Sequence, residues 1–497
     1  MDKVAVIGAG TMGAGIAQVA AAAGHEVYLY DAVAGAAASG VVKLKRGLSK
    51  LIERGKMTLE DREVLLGRIQ VIDQIEQSAD AALFIEAIIE DLEIKRGLFK
   101  TIESFASDSA ILATNTSSIS VTKIATAVSD PGRVVGMHFF NPAPVMKLVE
   151  VVRGQQTDEA VAKKVFEYAQ GWGKTAVYTQ STPGFIVNRV ARPYYGEALR
   201  LLEEGLTKVP VIDALMRDCG GFRMGPFQLM DLIGIDVNFS VSESVYRAMF
   251  DDPKFKPSLV QQEMVAAGHL GRKSGRGFYR YDEESENDTG GGLVLSPPPK
   301  KVTAHGDIAR FRPLTEALPV SVELDKAADE IDYLDVDGVR IYPTDGTTAT
   351  ERAARTGHDD TVVFDLCLDY ESASRMAIAV ADQASSEAKT TAAGLFQAMG
   401  KSVYVVDDLP GLAVMRTVAC LANEAADVVA RGVATSAGVD QAMKLGVNYP
   451  RGPLEWAEAI GMQRVYTVMA NLHSNYGEDR YRPSFGLRRH ALTAKRK

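Results

Sequence analysis

Cysteine is scarce in this chain of 497 residues: only Cys219, Cys367 and Cys420 are present. They are scattered, and no CxxC or Cys/His spacing exists to frame disulfides or hold a structural zinc. A reduced, cytoplasmic protein without a structural metal is therefore expected. Long apolar runs are missing as well, since none reaches the ~20 residues that cross a bilayer. No basic leader or cleavage site precedes MDKVAVIGAG, so no signal peptide is read there. Positive charge is not in excess. The formal net charge of −9 argues against a nucleic-acid footprint, yet a few local Lys and Arg suffice to hold an anionic small molecule. The length exceeds one ordinary core and predicts roughly two to four domains.

What is present begins at the N-terminus. Val4 to Ile7 is a short apolar strand, followed by Gly8-Ala9-Gly10-Thr11-Met12-Gly13 at GxGxxG spacing. A helix rich in small residues comes next, then a second strand from Glu26 to Tyr30 that ends on Asp31. The motif alone is weak, but here it sits in the strand–turn–helix–strand unit that dinucleotide binding demands. Gly8 permits the tight turn, Gly10 lets backbone approach a pyrophosphate, and Gly13 lets helix and strand pack closely. The helix N-terminus offers unpaired N–H groups to the phosphates. Asp31 is placed to accept from ribose hydroxyls, and no arginine follows to receive a 2′-phosphate, so NAD is expected rather than NADP.

Residues 36–70 read as a pair of helices dense in Lys and Arg, either a solvated hairpin or an arm over a phosphate-bearing ligand. Strand signals resume at 82–89, 110–114 and 134–138, with helical intervals between them, as in an α/β Rossmann-type, doubly wound, mostly parallel sheet. Such sheets bind ligands beyond the carboxyl ends of their strands. Glu86, Glu90, the run Thr114–Ser118 and His138 all fall at such ends. One apolar stretch, VVGMHFFNPAPVMKLVEVV, carries both His138 and Glu150. Burying it requires that both polar groups be satisfied.

GAGTMGAGIA, EAIIEDLEIK, TNTSSIS, GMHFFNPAPVMKLVEV and TPGFIVNRV occur in order over about residues 1–282. In these motifs the chain closely resembles the (S)-3-hydroxyacyl-CoA dehydrogenases. The resemblance implies NAD-dependent oxidation of a 3-hydroxyacyl-CoA thioester to the 3-oxoacyl-CoA, in fatty-acid or phenylacetate catabolism. It places Ser117, His138, Glu150 and Asn188 on the family's catalytic positions. His138 would be the base, Glu150 its orienting partner, and Ser117 and Asn188 would hold the substrate oxygen. Histidine and glutamate are thus tolerated together because each is the other's partner. The same resemblance puts Gly8, Ala9, Gly10, Thr11, Met12, Gly13, Asp31, Glu90, Lys95, Ser117, Asn141 and Lys273 at the NAD site. It puts Arg54, Lys56 and Ser117 at the CoA thioester, although Gly47 replaces a CoA-contacting serine. Arg192, Arg223 and Arg272 are candidates to meet a distal carboxylate if the acyl group is adipyl rather than butyryl.

The chain then repeats itself. GKTAVYTQSTPGFIVNRV from Gly173 aligns with GKSVYVVDDLPGLAVMRT from Gly400, and one constant offset persists through Asp213/Asp440 and Gly234/Gly461. Met415 stands where the first copy has Asn188, so the second copy is read as non-catalytic. The expected organisation is an NAD-binding domain over 1–182, a first helical domain over 183–282, a linker over 283–330, a degenerate α/β remnant over 331–399 and a second helical domain over 400–497. Single-copy members of the family dimerise through the helical domain. The second copy is accordingly expected to act as an intrachain pseudo-dimer partner, with homo-oligomers open. Two rival readings stand beside this one. The β-hydroxyacid dehydrogenases use a lysine four residues before an asparagine, but Gly184 occupies that position here. A non-enzymatic structural role would leave the four catalytic positions free to drift, and all four are filled.

Overall fold

Val4–Ile7 (β1), Leu83–Glu86 (β4) and Ile111–Thr114 (β5) are buried at every position, as strands covered on both faces must be. Side-chain alternation divides β1 between two cores, Val4 and Val6 facing one and Ala5 and Ile7 the other. A computed structural model describes residues 1–281, 292–306, 314, 316, 318, 322–325 and 332–493. The chain divides into one unit of Met1–Arg189 with Arg431–Val447, and a second of Val190–Ala430 with Asn448–Lys497.

The first unit adds Val27–Tyr30 (β2), Ile69–Val71 (β3), Val134–Phe139 (β6), Leu148–Arg153 (β7) and Thr175–Gln180 (β8). Their order in the eight-stranded sheet is β3-β2-β1-β4-β5-β6-β7-β8. Every pairing is parallel except β6 with β7, which bears out a doubly wound sheet. The order reverses between β1 and β4, where ligands of such sheets bind. The basic hairpin forms helices Ala36–Glu53 and Leu59–Gly67, the second closed by a Thr58/Asp61 capping box.

A segment from far along the chain completes this unit. Helix Ser436–Gly446 packs on β7 and β8, and the Gln180 N–H donates to the Val433 carbonyl at 2.9 Å. A Cβ on Gly446 would meet side-chain methyls of Leu148 and Val187 at 2.9 Å, so any larger residue would have to displace them. Residues 431–447, expected within a second helical domain, therefore close the first sheet.

The second unit holds a seven-stranded sheet in the order β10-β9-β11-β12-β13-β14-β15. The strands are Val302–His305 (β9), Val322–Asp325 (β10), Tyr333–Val336 (β11), Val339–Pro343 (β12), Thr361–Phe364 (β13), Arg375–Val380 (β14) and Ser402–Val405 (β15). Strands β9 and β10 correct the reading of 283–330 as linker. They are four residues each, and the Gly- and Pro-rich surroundings hid them. The remainder of that stretch lies largely outside the described residues.

Strands β13, β14 and β15 begin at the offset of the sequence repeat from β6, β7 and β8, and they repeat the same pairing, antiparallel then parallel. The duplication thus reaches back into the α/β part. Lys174 donates to the Ala143 and Met146 carbonyls, and Lys401 does the same to Tyr370 and Ala373, each residue displaced by that same offset. Helix Val209–Asp218 of the first copy, Ala349–Thr356 and Ser386–Ala398 pack on the second sheet, and the unit also holds Arg192–Glu203 and Pro226–Ile233 of the first copy and Val414–Ala430, Pro453–Ile460 and Met462–Tyr476 of the second. Helix Val414–Ala430 is buried nearly all round and contacts Arg192–Glu203 directly.

Candidate active site

The glycine turn follows from close approach. Gly8 has φ +104°, and a Cβ there would sit 2.5 Å from the Ala87 carbonyl oxygen. Gly13, in helix Thr11–Ala22, faces Gly8 so closely that a Cβ would fall 1.7 Å from its oxygen. Asp31 closes the turn: one carboxylate oxygen accepts from the Ala9 N–H at 2.7 Å and the other from Val33 at 2.9 Å. This arrangement fits a dinucleotide, with backbone bare of side chains at the helix start and an acid beside it. Gly13→Ala is expected to cost the first unit ~1–3 kcal/mol through overpacking and to weaken NADH binding. Urea denaturation and NADH fluorescence titration check both. An unchanged dissociation constant would show that the turn does not hold the cofactor.

Beyond β4 the chain builds an ionic anchor. Glu86 is fully buried and pairs with Lys95 at 2.5 Å, while Thr114 donates to its other oxygen at 2.7 Å. Lys95 also reaches Glu90 at 3.2 Å. Glu90 in turn accepts from the hydroxyls of Thr116 (2.6 Å) and Ser118 (2.8 Å) and from the Ser117 N–H (3.2 Å). Burial works to raise the Glu90 pKa, but the Lys95 ammonium and these hydroxyls bring it below the usual carboxylate range. The loop after β5 is thereby pinned to the end of β4. The Ser117 hydroxyl forms no hydrogen bond with the described residues, whereas its neighbours' hydroxyls are engaged.

His138 and Glu150 are direct cross-strand partners in the β6–β7 pair. His138 Nδ1 lies 2.7 Å from Glu150 Oε2, and the ring is held between Phe140 and Phe185 at centroid distances of 4.6 and 5.7 Å. An ionised carboxylate only accepts, so Nδ1 carries the hydrogen and Nε2 keeps its lone pair. The other Glu150 oxygen accepts from the Ile186 and Val187 N–H groups at 3.1 and 3.0 Å. Those donors open helix Val187–Val190, on which Asn188 sits. One buried acid thus orients the imidazole and fixes the segment carrying Asn188. Phe185, just before it, is held at φ +48°, a conformation L residues seldom adopt.

The sequence profile described as "3-hydroxyacyl-CoA dehydrogenase, NAD binding domain" matches residues 3–182. Its "C-terminal domain" counterpart matches 184–281 and again 411–496, and a "3-hydroxybutyryl-CoA dehydrogenase reduced Rossmann-fold domain" matches 341–410. The chain belongs to the 3-hydroxyacyl-CoA dehydrogenase family. It is 44% identical, over 99% of its length and 98% of the relative's, to the 3-hydroxyadipyl-CoA dehydrogenase of Escherichia coli K12. A crystal structure of 3-hydroxybutyryl-CoA dehydrogenase from E. coli K12 superposes with a TM-score of 0.90 at 44% identity, covering 99% of this chain and 98% of that one. A (S)-3-hydroxybutyryl-CoA dehydrogenase structure from Ralstonia eutropha, 40% identical, covers 57% of this chain and 100% of its own, with a TM-score of 0.55.

As a member of this dehydrogenase family, the chain carries Gly8–Gly13, Asp31, Glu90, Lys95, Ser117, His138, Asn141, Glu150 and Asn188 in its first unit. Asn141 is exposed in the turn after β6. Arg54 and Lys56 are exposed at the end of the first basic helix, the former as its C-cap. Lys273 belongs to the second unit, where it pairs with Asp236 at 2.6 Å. There too lie Arg192, buried with Nη1 donating to Ser242, and the exposed Arg223 and Arg272. No group of three or more metal-ligating side chains occurs among the described residues, and no described helix is long and apolar enough to cross a membrane.

The second copy shows what its own site became. Asp365, the counterpart of His138 in the repeat, is buried and accepts from the N–H groups of Ala413, Val414 and Met415. It does for that copy what Glu150 does for the first, from the position of the lost imidazole. Burial pushes its pKa up to about 6 against those hydrogen bonds. Extending the register of the repeat upstream of Gly173 is the sequence signal that reveals this exchange.

Proposed function

We propose that the protein oxidises (S)-3-hydroxyacyl-CoA thioesters to 3-oxoacyl-CoA with NAD, and runs the reverse, with His138 as the general base. The observation that carries this reading is the 2.7 Å contact between His138 Nδ1 and Glu150, which leaves Nε2 as the acceptor. Nε2 takes the proton of the 3-hydroxyl, and the Glu150 carboxylate stabilises the imidazolium that results. NAD supplies the acceptor for the hydride that leaves C3. The free Ser117 hydroxyl and Asn188 hold the substrate oxygen, while Arg54 and Lys56 meet the CoA phosphates. Gly8–Gly13, Asp31, Glu90, Lys95 and Asn141 hold the dinucleotide. The reaction belongs to cytoplasmic thioester catabolism of the fatty-acid or phenylacetate type.

The second helical copy stands in for a dimer partner. Its helix Val414–Ala430 packs on Arg192–Glu203 of the first copy, and Arg416 is shared between Glu197 and Glu204. Whether the acyl group is butyryl or adipyl is a question of kcat/KM.

Absorbance of NADH formed from (S)-3-hydroxybutyryl-CoA and (S)-3-hydroxyadipyl-CoA tests the reaction and ranks the substrates. Absence of NADH with both would overturn it. With NADP in place of NAD, kcat/KM is expected to fall at least ~10-fold, because the 2′-phosphate would meet the Asp31 carboxylate and like charges so placed cost energy of this order. Equal use of both cofactors would remove Asp31 from the ribose site.

A further inference from the structure

The three cysteines are far apart in sequence, and the fold brings two of them together. Cys219 is the C-cap of helix Val209–Asp218, and Cys367 lies just past β13. The Leu368 N–H donates to the Cys219 carbonyl at 2.8 Å, so one hydrogen bond separates the two backbones. Disulfides join Cα pairs ~4.4–6.8 Å apart, a range that includes the ~5 Å spacing of hydrogen-bonded neighbouring chains. The thiols converge as well. Both approach the Arg375 carbonyl, Cys219 Sγ at 3.2 Å and Cys367 Sγ at 3.9 Å, and they hydrogen-bond to each other. Cys420 stands elsewhere, 3.9 Å from the Met469 sulfur.

The pair sits at a contact that the duplication exchanges. The Asp407 N–H donates to the Leu206 carbonyl at 3.0 Å, as Gln180 does to Val433, each residue displaced by the offset of the repeat. A helix of each copy thus packs on the sheet of the other, Ser436–Gly446 on β7 and β8 and Val209–Asp218 on β14. In the first unit the positions equivalent to Cys219 and Cys367 are Gly446 and Phe140, which cannot crosslink. In the second, a bond between the two sulfurs fastens helix Val209–Asp218 to the sheet it packs on.

We propose that Cys219 and Cys367 form a reversible redox site, oxidised by a small hydroperoxide to an intrachain disulfide. One sulfur attacks the peroxide O–O bond, becoming a sulfenic acid and releasing an alcohol, or water from hydrogen peroxide. The other attacks that sulfur; the S–S bond forms, the S–O bond breaks and water leaves with the thiol proton. Two electrons pass from the thiols to the peroxide, and a small dithiol returns them. The hydrogen bond to Cys367 and burial hold the Cys219 thiol well above its ordinary pKa, so oxidation is slow at neutral pH and quickens as pH rises. Both residues are buried, which admits hydrogen peroxide by local opening and keeps bulky oxidants out.

Titration under denaturing conditions is expected to count three thiols in the reduced full-length protein and one after hydrogen peroxide, with three restored by dithiothreitol. Peptide mapping should find Cys219 linked to Cys367 and Cys420 free. The two tryptophans are Trp172 in the first unit and Trp456 in the second, so emission of protein carrying Trp172→Phe follows the second unit alone. Its urea midpoint should rise on oxidation by at least ~0.5 M, as closing a loop of roughly 150 residues predicts. Cys219→Ala and Cys367→Ala should each abolish the crosslink and the rise; if one fails to fold, the other decides. Three thiols that persist through peroxide treatment at neutral and alkaline pH alike overturn the proposal. So does pairing with Cys420 or with another chain, thiol loss to sulfinic acid without a crosslink, or a crosslink that leaves the midpoint unchanged.

Discussion

His138→Gln lowers kcat by about 10²–10⁴, the usual worth of a positioned general base, and leaves the NAD dissociation constant nearly unchanged. Glutamine keeps a donor to face Glu150 but has no lone pair of imidazole basicity at the Nε2 position. The cofactor turn, Gly8 to Gly13 with Asp31, is built from other elements and does not depend on this ring. Glu150 continues to accept from Ile186 and Val187, so the segment that carries Asn188 stays in place. Steady-state kinetics with either thioester, paired with NADH fluorescence titration, separate the two effects. A near-wild-type kcat would mean that another group takes the proton, and the assignment of the base would fall. A parallel loss of cofactor binding would mean instead that the substitution had disturbed the sheet.

Arg416→Leu destabilises the second unit by about 3–5 kcal/mol, the range observed when one member of a buried ion pair is removed. Arg416 is fully buried. Its Nε donates to Glu197 at 2.8 Å, Nη1 to Glu204 at 2.8 Å and to the Tyr476 hydroxyl at 2.8 Å, and Nη2 to the Tyr481 hydroxyl at 2.6 Å. Tyr481 then donates to Glu197 and Tyr476 to Glu204, which closes the network. Leucine would leave the Glu197 carboxylate in the interior with only the Tyr481 hydroxyl and the 3.5 Å contact to Arg480 to hold it. Adding Glu197→Leu should recover part of the loss, because a buried pair is worth little over apolar packing while an orphaned charge is expensive. Trp456 emission in the Trp172→Phe background follows this unit during denaturation. A loss below ~1 kcal/mol, the scale of an exposed salt bridge, would show that the network does not tie the two helical copies together.

The first sheet was legible from the chain itself. Strands buried on both faces read as continuous apolar runs, and the glycine turn has a spacing that few other structures require. The strand ends at Glu86, Glu90, the Thr114–Ser118 run and His138 could be listed before any fold was known, because each polar group interrupts an apolar pattern. The partner of His138 was legible too, as the one acid in the same apolar segment. Less visible was the double use of Glu150. Its second oxygen caps a helix start at Ile186 and Val187, more than thirty residues away, and no local pattern marks that contact. Strands β9 and β10 were missed because four-residue strands carry little periodicity beside Gly- and Pro-rich sequence.

By itself the sequence determined the dinucleotide turn, the doubly wound sheet, the His138–Glu150 pairing and the existence of a second copy, since each depends on local spacing or on a register that can be counted. Only the tertiary structure decided that residues 431–447 pack on the first sheet and that Asp365 assumes a capping role from the histidine's position. These depend on which distant surfaces meet. Such meetings are set by burial and hydrogen-bond satisfaction over the whole chain, and neighbours in sequence do not record them.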